Sequence, residues 1–214
     1  MLRCLVRLTT DRRLVFHMSR LEVQRKLRLF YCACCRLLWD VLPDRGRQAV
    51  EVIERYADGL TDAKHLRAAR RTAEAVVRET QPVWGPDGYA PGAWDVTATA
   101  RLVVHAAEVH GRLRRGYVPD GEPADATARA AFLGELFGNP FRPVEIARAW
   151  LTPTVVTLAR VIHADRTFHL MPVLGDALQD AGCASAEVLE HCYGTGPHVA
   201  GCWLLDRLTG RNSA

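Results

Sequence analysis

Apolar positions recur at helical spacing through most of this chain. Between about 20 and 42, Leu27, Phe30, Tyr31, Cys34, Leu37, Leu38 and Val41 fall three and four apart with no Gly or Pro among them, the pattern of one buried helical stripe. Cys32, Cys35 and Trp39 lie on another side of the same helix, so two of its sides are apolar and the pattern places it centrally. Ser19, with Glu22 three positions on, matches the capping box that satisfies free amides at a helix start. Pro43-Asp44 breaks this helix, and the next turns Val50, Ile53, Tyr56 and Ala57 inward before Gly59 ends it. A third runs from Asp62 to about Thr80 with Leu66, Ala69, Ala73, Val76 and Val77 on its inner side. Short connections between the three favour antiparallel neighbours.

The stretch 81–94 carries Pro82, Gly85, Pro86, Gly88, Pro91 and Gly92, which exclude regular structure, while Trp84, Tyr89 and Trp94 predict a loop pinned by aromatic rings. Asp95 caps a helix to about Leu113, and a short helix with Phe132, Leu133, Leu136 and Phe137 follows over 124–137. Thr152 and Pro153 supply a cap and a first-turn proline for a stripe of Val155, Leu158, Ala159 and Ile162. Another stripe, Leu170, Val173, Leu174, Ala177, Leu178 and Ala181, is closed by Gly182, and short helices near 185–193 and 197–209 follow, the last opened by Gly196-Pro197. With no alternating β-branched run and no Asn-Gly or Asp-Gly hairpin, the expectation is an all-α fold, a compact bundle of about eight to ten helices. It is read as a single domain over 19–210 with a sub-boundary at loop 81–94. Residues 1–18 are expected to be a frayed or mis-started arm, with Met18 as an alternative start to Met1.

Composition adds little to this picture except at one end. The 214 residues are 49% hydrophobic, enough for a core, yet every apolar segment is interrupted well short of a membrane span. Residues 1–36 hold nine Lys/Arg against Asp11 and Glu22, a balance of +7 in a chain of net charge +4. Arg25, Lys26 and Arg28 lie on the first helix and, with Trp84, Tyr89 and Trp94, make a candidate surface for a protein partner. The basic end lacks the interleaved aromatics of a nucleic-acid groove, so nucleic acid is the weaker alternative partner. Seven cysteines without a secretory signal point to a reducing compartment.

Several segments together resemble a known family. They are Arg25-Lys-Leu-Arg-Leu-Phe-Tyr-Cys-Ala-Cys-Cys-Arg36, Ala49-Val-Glu-Val-Ile-Glu-Arg-Tyr-Ala-Asp-Gly59, Gly138-Asn-Pro-Phe-Arg-Pro143, Trp150-Leu-Thr-Pro-Thr-Val-Val156, Met171 to Cys183 and Gly196-Pro-His-Val-Ala-Gly-Cys-Trp203. This set is similar to a large paralogous family of uncharacterised planctomycete proteins of the Gemmata type, sometimes attached to repeat-companion domains. The resemblance covers most of residues 25–208 and implies a cytoplasmic bacterial protein, but it brings no catalytic residue with it. Residues 1–20 do not reproduce the Trp-containing segment with which members usually begin.

Chemistry enters through cysteine and histidine. Cys32 and Cys35 sit three apart on the first helix, and His198 and Cys202 four apart on the predicted last helix, so each pair projects from one face as chelating pairs do. Together they form a candidate Cys3His zinc site, with His191 and Cys192 as reserve ligands, and plain core packing of the thiols as the competing reading. His163, Asp165 and His169 form a polar cluster between two helices that reads mainly as an interhelical turn. Asp206 falls among Val199, Cys202 and Trp203 on an apolar side and calls for a buried cationic partner, with Arg142 or Arg166 the leading choices. No phosphate-binding loop, serine elbow or metalloprotease helix is present. The functional expectation is a non-catalytic helical module for protein interaction or regulation. The alternatives are a zinc-binding regulator or thiol-dependent enzyme built on the Cys/His cluster, and nucleic-acid binding through the basic end.

Overall fold

The computed structural model describes residues 19–80, 99–108, 126–139 and 144–211. Among them there is no strand, and the fold is all-α. The helices are α1 (Arg20–Leu37), α2 (Asp44–Ala57), α3 (Ala63–Glu79), α4 (Ala126–Phe137), α5 (Pro153–Asp165), α6 (Met171–Asp180), α7 (Ala186–Tyr193) and α8 (Trp203–Leu208). Residues 99–108 are also helical, and short 3-10 turns occur at Trp39–Val41, Arg148–Trp150 and Phe168–Leu170. The chain divides into two units, Met1–Arg129 and Ala130–Ala214, with the boundary inside α4. The expected arm 1–18 and the loop 81–94, with Trp84, Tyr89 and Trp94, lie outside the described residues.

In the first unit, the helix starts follow from local chemistry. Ser19 Oγ accepts the Glu22 amide at 3.1 Å, and Asp62 accepts those of Lys64 and His65 at 2.9 and 3.0 Å, so orphan amides at two N-termini are satisfied. Gly59, at φ +72, supplies the left-handed turn between α2 and α3. The two-sided apolar pattern of α1 is realised: Leu29, Phe30, Cys32, Cys34 and Cys35 are all buried. Its far end departs from expectation, since Leu37 and Val41 are exposed where the α-helix gives way to the 3-10 turn.

The basic face expected on α1 is not a free surface. Lys26 and Arg28 are buried, at 1% and 5% exposure. Arg28 Nη1 donates to the carbonyls of Ala106 and Ala107, and Arg25 donates to the Ala57 carbonyl at 3.0 Å and pairs with Asp58 at 2.8 Å. These arginines satisfy backbone carbonyls within the unit, the task a long Arg does well, so Arg25, Lys26 and Arg28 do not form the predicted partner surface. A further tie joins α1 to α2: Arg36 meets Glu54 through two parallel hydrogen bonds of 3.0 and 2.7 Å, with its guanidinium 4.3 Å from the centre of the Trp39 ring.

In the second unit, Val155, Ala159 and Ile162 from α5, Met171, Leu174 and Leu178 from α6, Val188 and Cys192 from α7, and Leu204, Leu205 and Leu208 from α8 form one buried cluster. Thr152 caps α5 through the Val155 amide, Ser185 caps α7 through that of Val188, and Gly182 closes α6 at φ +83. Val173, expected inside, is instead 49% exposed. Asp206 is fully buried as its setting predicted; Arg142 lies outside the described residues, and Arg166 takes a left-handed C-cap position after α5 at φ 55.

Candidate metal centre

Four donor side chains of the second unit come together at one place. Single ligand atoms of Glu135, His191, His198 and Cys202 all lie within 4.8 Å of one another. His198 Nδ1 is 3.1 Å from Glu135 Oε1, His191 Nε2 is 3.1 Å from Cys202 Sγ, and the same nitrogen is 3.5 Å from Glu135 Oε2. Neighbouring ligands of a tetrahedral zinc ion lie about 3.3–3.8 Å apart, so a group spread over as much as 4.8 Å would draw together to hold one. The group is secluded: Cys202 is fully buried, and the side chains of Glu135, His191 and His198 are 6%, 14% and 10% exposed.

Each donor is positioned by ordinary local structure. Glu135 sits in the last turns of α4, three residues before Gly138, whose φ of +64 ends that helix. His191 belongs to the last turn of α7. His198 and Cys202 do not share a helical face as expected, because α8 begins only at Trp203. They are brought together by a turn in which the Cys202 amide donates to the Val199 carbonyl at 3.1 Å and Gly201 adopts φ +88, a conformation suited to glycine.

Trp203 borders the group, and Tyr193 braces α7 from its far side. Trp203 Nε1–H donates to His191 Nδ1 at 3.2 Å, and the two ring centroids are 5.1 Å apart. Its indole lies against the backbone of Gly138, where an added Cβ would sit 3.2 Å from Cγ. On the other side of α7, the Tyr193 hydroxyl donates to Asp176 at 2.7 Å and its ring covers Gly175, whose added Cβ would meet it at 2.9 Å. The close approach of α6 and α7 that these contacts require is what holds the His191 turn in place.

Of the four residues predicted to hold zinc, His198 and Cys202 lie in this group, while Cys32 and Cys35 do not: they are buried residues of α1 in the first unit. Their place is taken by His191, a reserve ligand in the sequence reading, and by Glu135, which that reading misses. Cys192, the other reserve, is buried and outside the group. A signal for Glu135 exists in the sequence, since it shares a helical side with Phe132 and Leu136, the kind of apolar setting that singles out Asp206. The polar cluster of His163, Asp165 and His169 forms no such group; His163 is buried while the other two are exposed.

Burial, with Glu135 adding to it, pushes the Cys202 thiol well above its ordinary range, opposed by the amides of Leu204 and Leu205. A reactive cysteine shows the reverse, a lowered value and access, and a thiol that ligates a metal gives up its proton on binding. Burial also lowers His191, with Glu135 opposing it and His198 adding to it. One carboxylate, one thiolate and neutral imidazoles would together neutralise a +2 ion. His198 Nε2 is buried without a hydrogen-bond partner. In the tautomer that Glu135 favours, Nδ1 carries the proton and this nitrogen holds a free electron pair.

A pH dependence follows for the metal-free chain. Burial, followed by Cys183 and Glu135, raises Cys192 from 9.0 to about 12, so the folded state holds a proton that the unfolded chain releases. This contribution is complete below pH 9 and is lost as pH rises from there toward 12. The urea midpoint should therefore fall between about pH 8.5 and 10.5, and Cys192→Ala should flatten that fall while lowering the midpoint at pH 7.

No protein-family model, curated protein or solved structure matches the chain.

Proposed function

We propose that this chain is a non-catalytic regulatory module that binds one divalent transition-metal ion, zinc by its donor set, through Glu135, His198 and Cys202 with His191 beside them. The observation that carries the reading is the convergence within 4.8 Å of four donors, Glu135 and Cys202 buried and the two histidines partly so. A thiolate with imidazole selects zinc or a similar borderline ion over magnesium or calcium, which take oxygen donors. Complete burial of Cys202 supports a role in shaping the fold rather than in meeting a substrate. A fold that responds to metal occupancy is an input that a protein-interaction module passes to its partner, so the interaction role expected from the sequence belongs to the same proposal. Membership of the planctomycete paralogous family is proposed on its motifs alone, as is a cytoplasmic location.

The test is metal stoichiometry on the purified chain, by elemental analysis and by competition with a chromophoric chelator. One zinc per chain, lost in Cys202→Ser and in His198→Ala, is the expected result. Absence of stoichiometric zinc from the intact chain, or its retention in both variants, would overturn the reading.

A further inference from the structure

The hydrogen bonds around His191 fix where its proton resides. An indole N–H only donates, so the 3.2 Å contact from Trp203 Nε1 requires a lone pair on His191 Nδ1. A neutral imidazole has one proton, and it must then be on Nε2. That nitrogen faces Cys202 Sγ at 3.1 Å and Glu135 Oε2 at 3.5 Å, two acceptors. A protonated ring nitrogen has no electron pair to offer an ion.

For His191 to ligate through Nε2, the proton would have to move to Nδ1, where it would meet the indole N–H head on. The indole has little freedom to withdraw: Trp203 is 7% exposed, opens α8 and lies against Gly138, with only 3.2 Å between its Cγ and the place that a Cβ on that glycine would take. Rotating the imidazole by half a turn does not help, because it sets C–H groups against both the indole and the sulfur and loses both hydrogen bonds.

Resting on the metal-binding reading above, we infer that His191 serves the centre from outside the coordination shell, as a positioning residue whose Nε2–H donates to the Cys202 sulfur and the Glu135 carboxylate, and that Trp203 locks it in that tautomer. The N–H···S bond spreads the negative charge of the thiolate and orients Cys202 toward the ion, the part that outer partners of metal ligands play. Glu135, Cys202 and His198 then hold the ion directly, His198 through Nε2, whose electron pair has no hydrogen-bond partner. Fewer protein ligands make a weaker and more readily exchanged site than a closed set of four, which suits regulation by occupancy.

The experiment uses the full chain with zinc as the probe. Chelator competition should show that His198→Ala and Cys202→Ser weaken binding by more than about 100-fold, whereas His191→Ala keeps one zinc per chain with affinity reduced about 10- to 100-fold. His191→Gln, which restores an N–H donor, should recover part of the loss, and Trp203→Phe, which keeps the ring but removes the N–H, should weaken binding by less than His191→Ala. Imidazole ¹⁵N spectra of the zinc-loaded chain should retain the His191 Nε2 proton with Nδ1 as acceptor. Loss of that proton on loading, a metal-bound shift at His191 Nε2, abolition of binding in both His191 variants, or tighter binding by Trp203→Phe would each overturn the inference while leaving the metal site standing. If the intact chain takes up no zinc, the metal-binding reading itself fails, and this inference fails with it.

Discussion

Zinc added to the metal-stripped chain should raise its thermal unfolding midpoint by about 10 °C. An ion that binds only the folded state stabilises it by about 4 kcal/mol when its free concentration is about a thousandfold above Kd. For a chain of this size, each kcal/mol moves the midpoint by about 2–4 °C. Calorimetry with and without a chelator reads the shift directly, and His198→Ala and Cys202→Ser should show none of it. A midpoint indifferent to zinc in the intact chain would mean that Glu135, His198 and Cys202 do not hold the ion in the folded state.

The second large effect lies in the first unit, at the pair of Arg36 and Glu54. The Glu54 side chain is 3% exposed, and that of Arg36 is 36% exposed. The two ends of the pair are therefore unequal. Arg36→Ala takes the bidentate hydrogen bonds from a buried carboxylate and should cost about 2 kcal/mol, whereas Glu54→Gln leaves a guanidinium that reaches water and still stacks on Trp39, and should cost less. Urea titration of the two variants, and of the double variant Arg36→Met/Glu54→Leu, measures the asymmetry; equal losses in the single variants would show that burial of the carboxylate does not decide the cost.

The helices are legible because their starts and stops are written in residues with one main use. Ser19, Asp62 and Thr152 cap helices through the hydrogen bonds their side chains can make, and Gly59 and Gly182 end them at positive φ. The start of the last helix is not, because Gly196-Pro197 looks like a helix opening, yet Val199–Cys202 form a turn around Gly201 before α8 begins. The spacing of His198 and Cys202 thus points to two neighbouring donors for a reason that does not apply. Nothing in local spacing brings α4 to that turn, so periodicity cannot join Glu135 to them. The cations of α1 read as a surface because charge usually faces water; Arg25 and Arg28 instead reach carbonyls far along the chain, a pairing that only the tertiary fold creates.

Glu135 and His198 are 63 residues apart in sequence. A pocket assembled across such a span does not exist on a partly synthesised chain, since α4 emerges long before the turn that completes it. If the site takes an ion as proposed, capture would come late, after the turn before α8 has been made and docked, and a bound ion would mark a polypeptide that has finished folding its second unit.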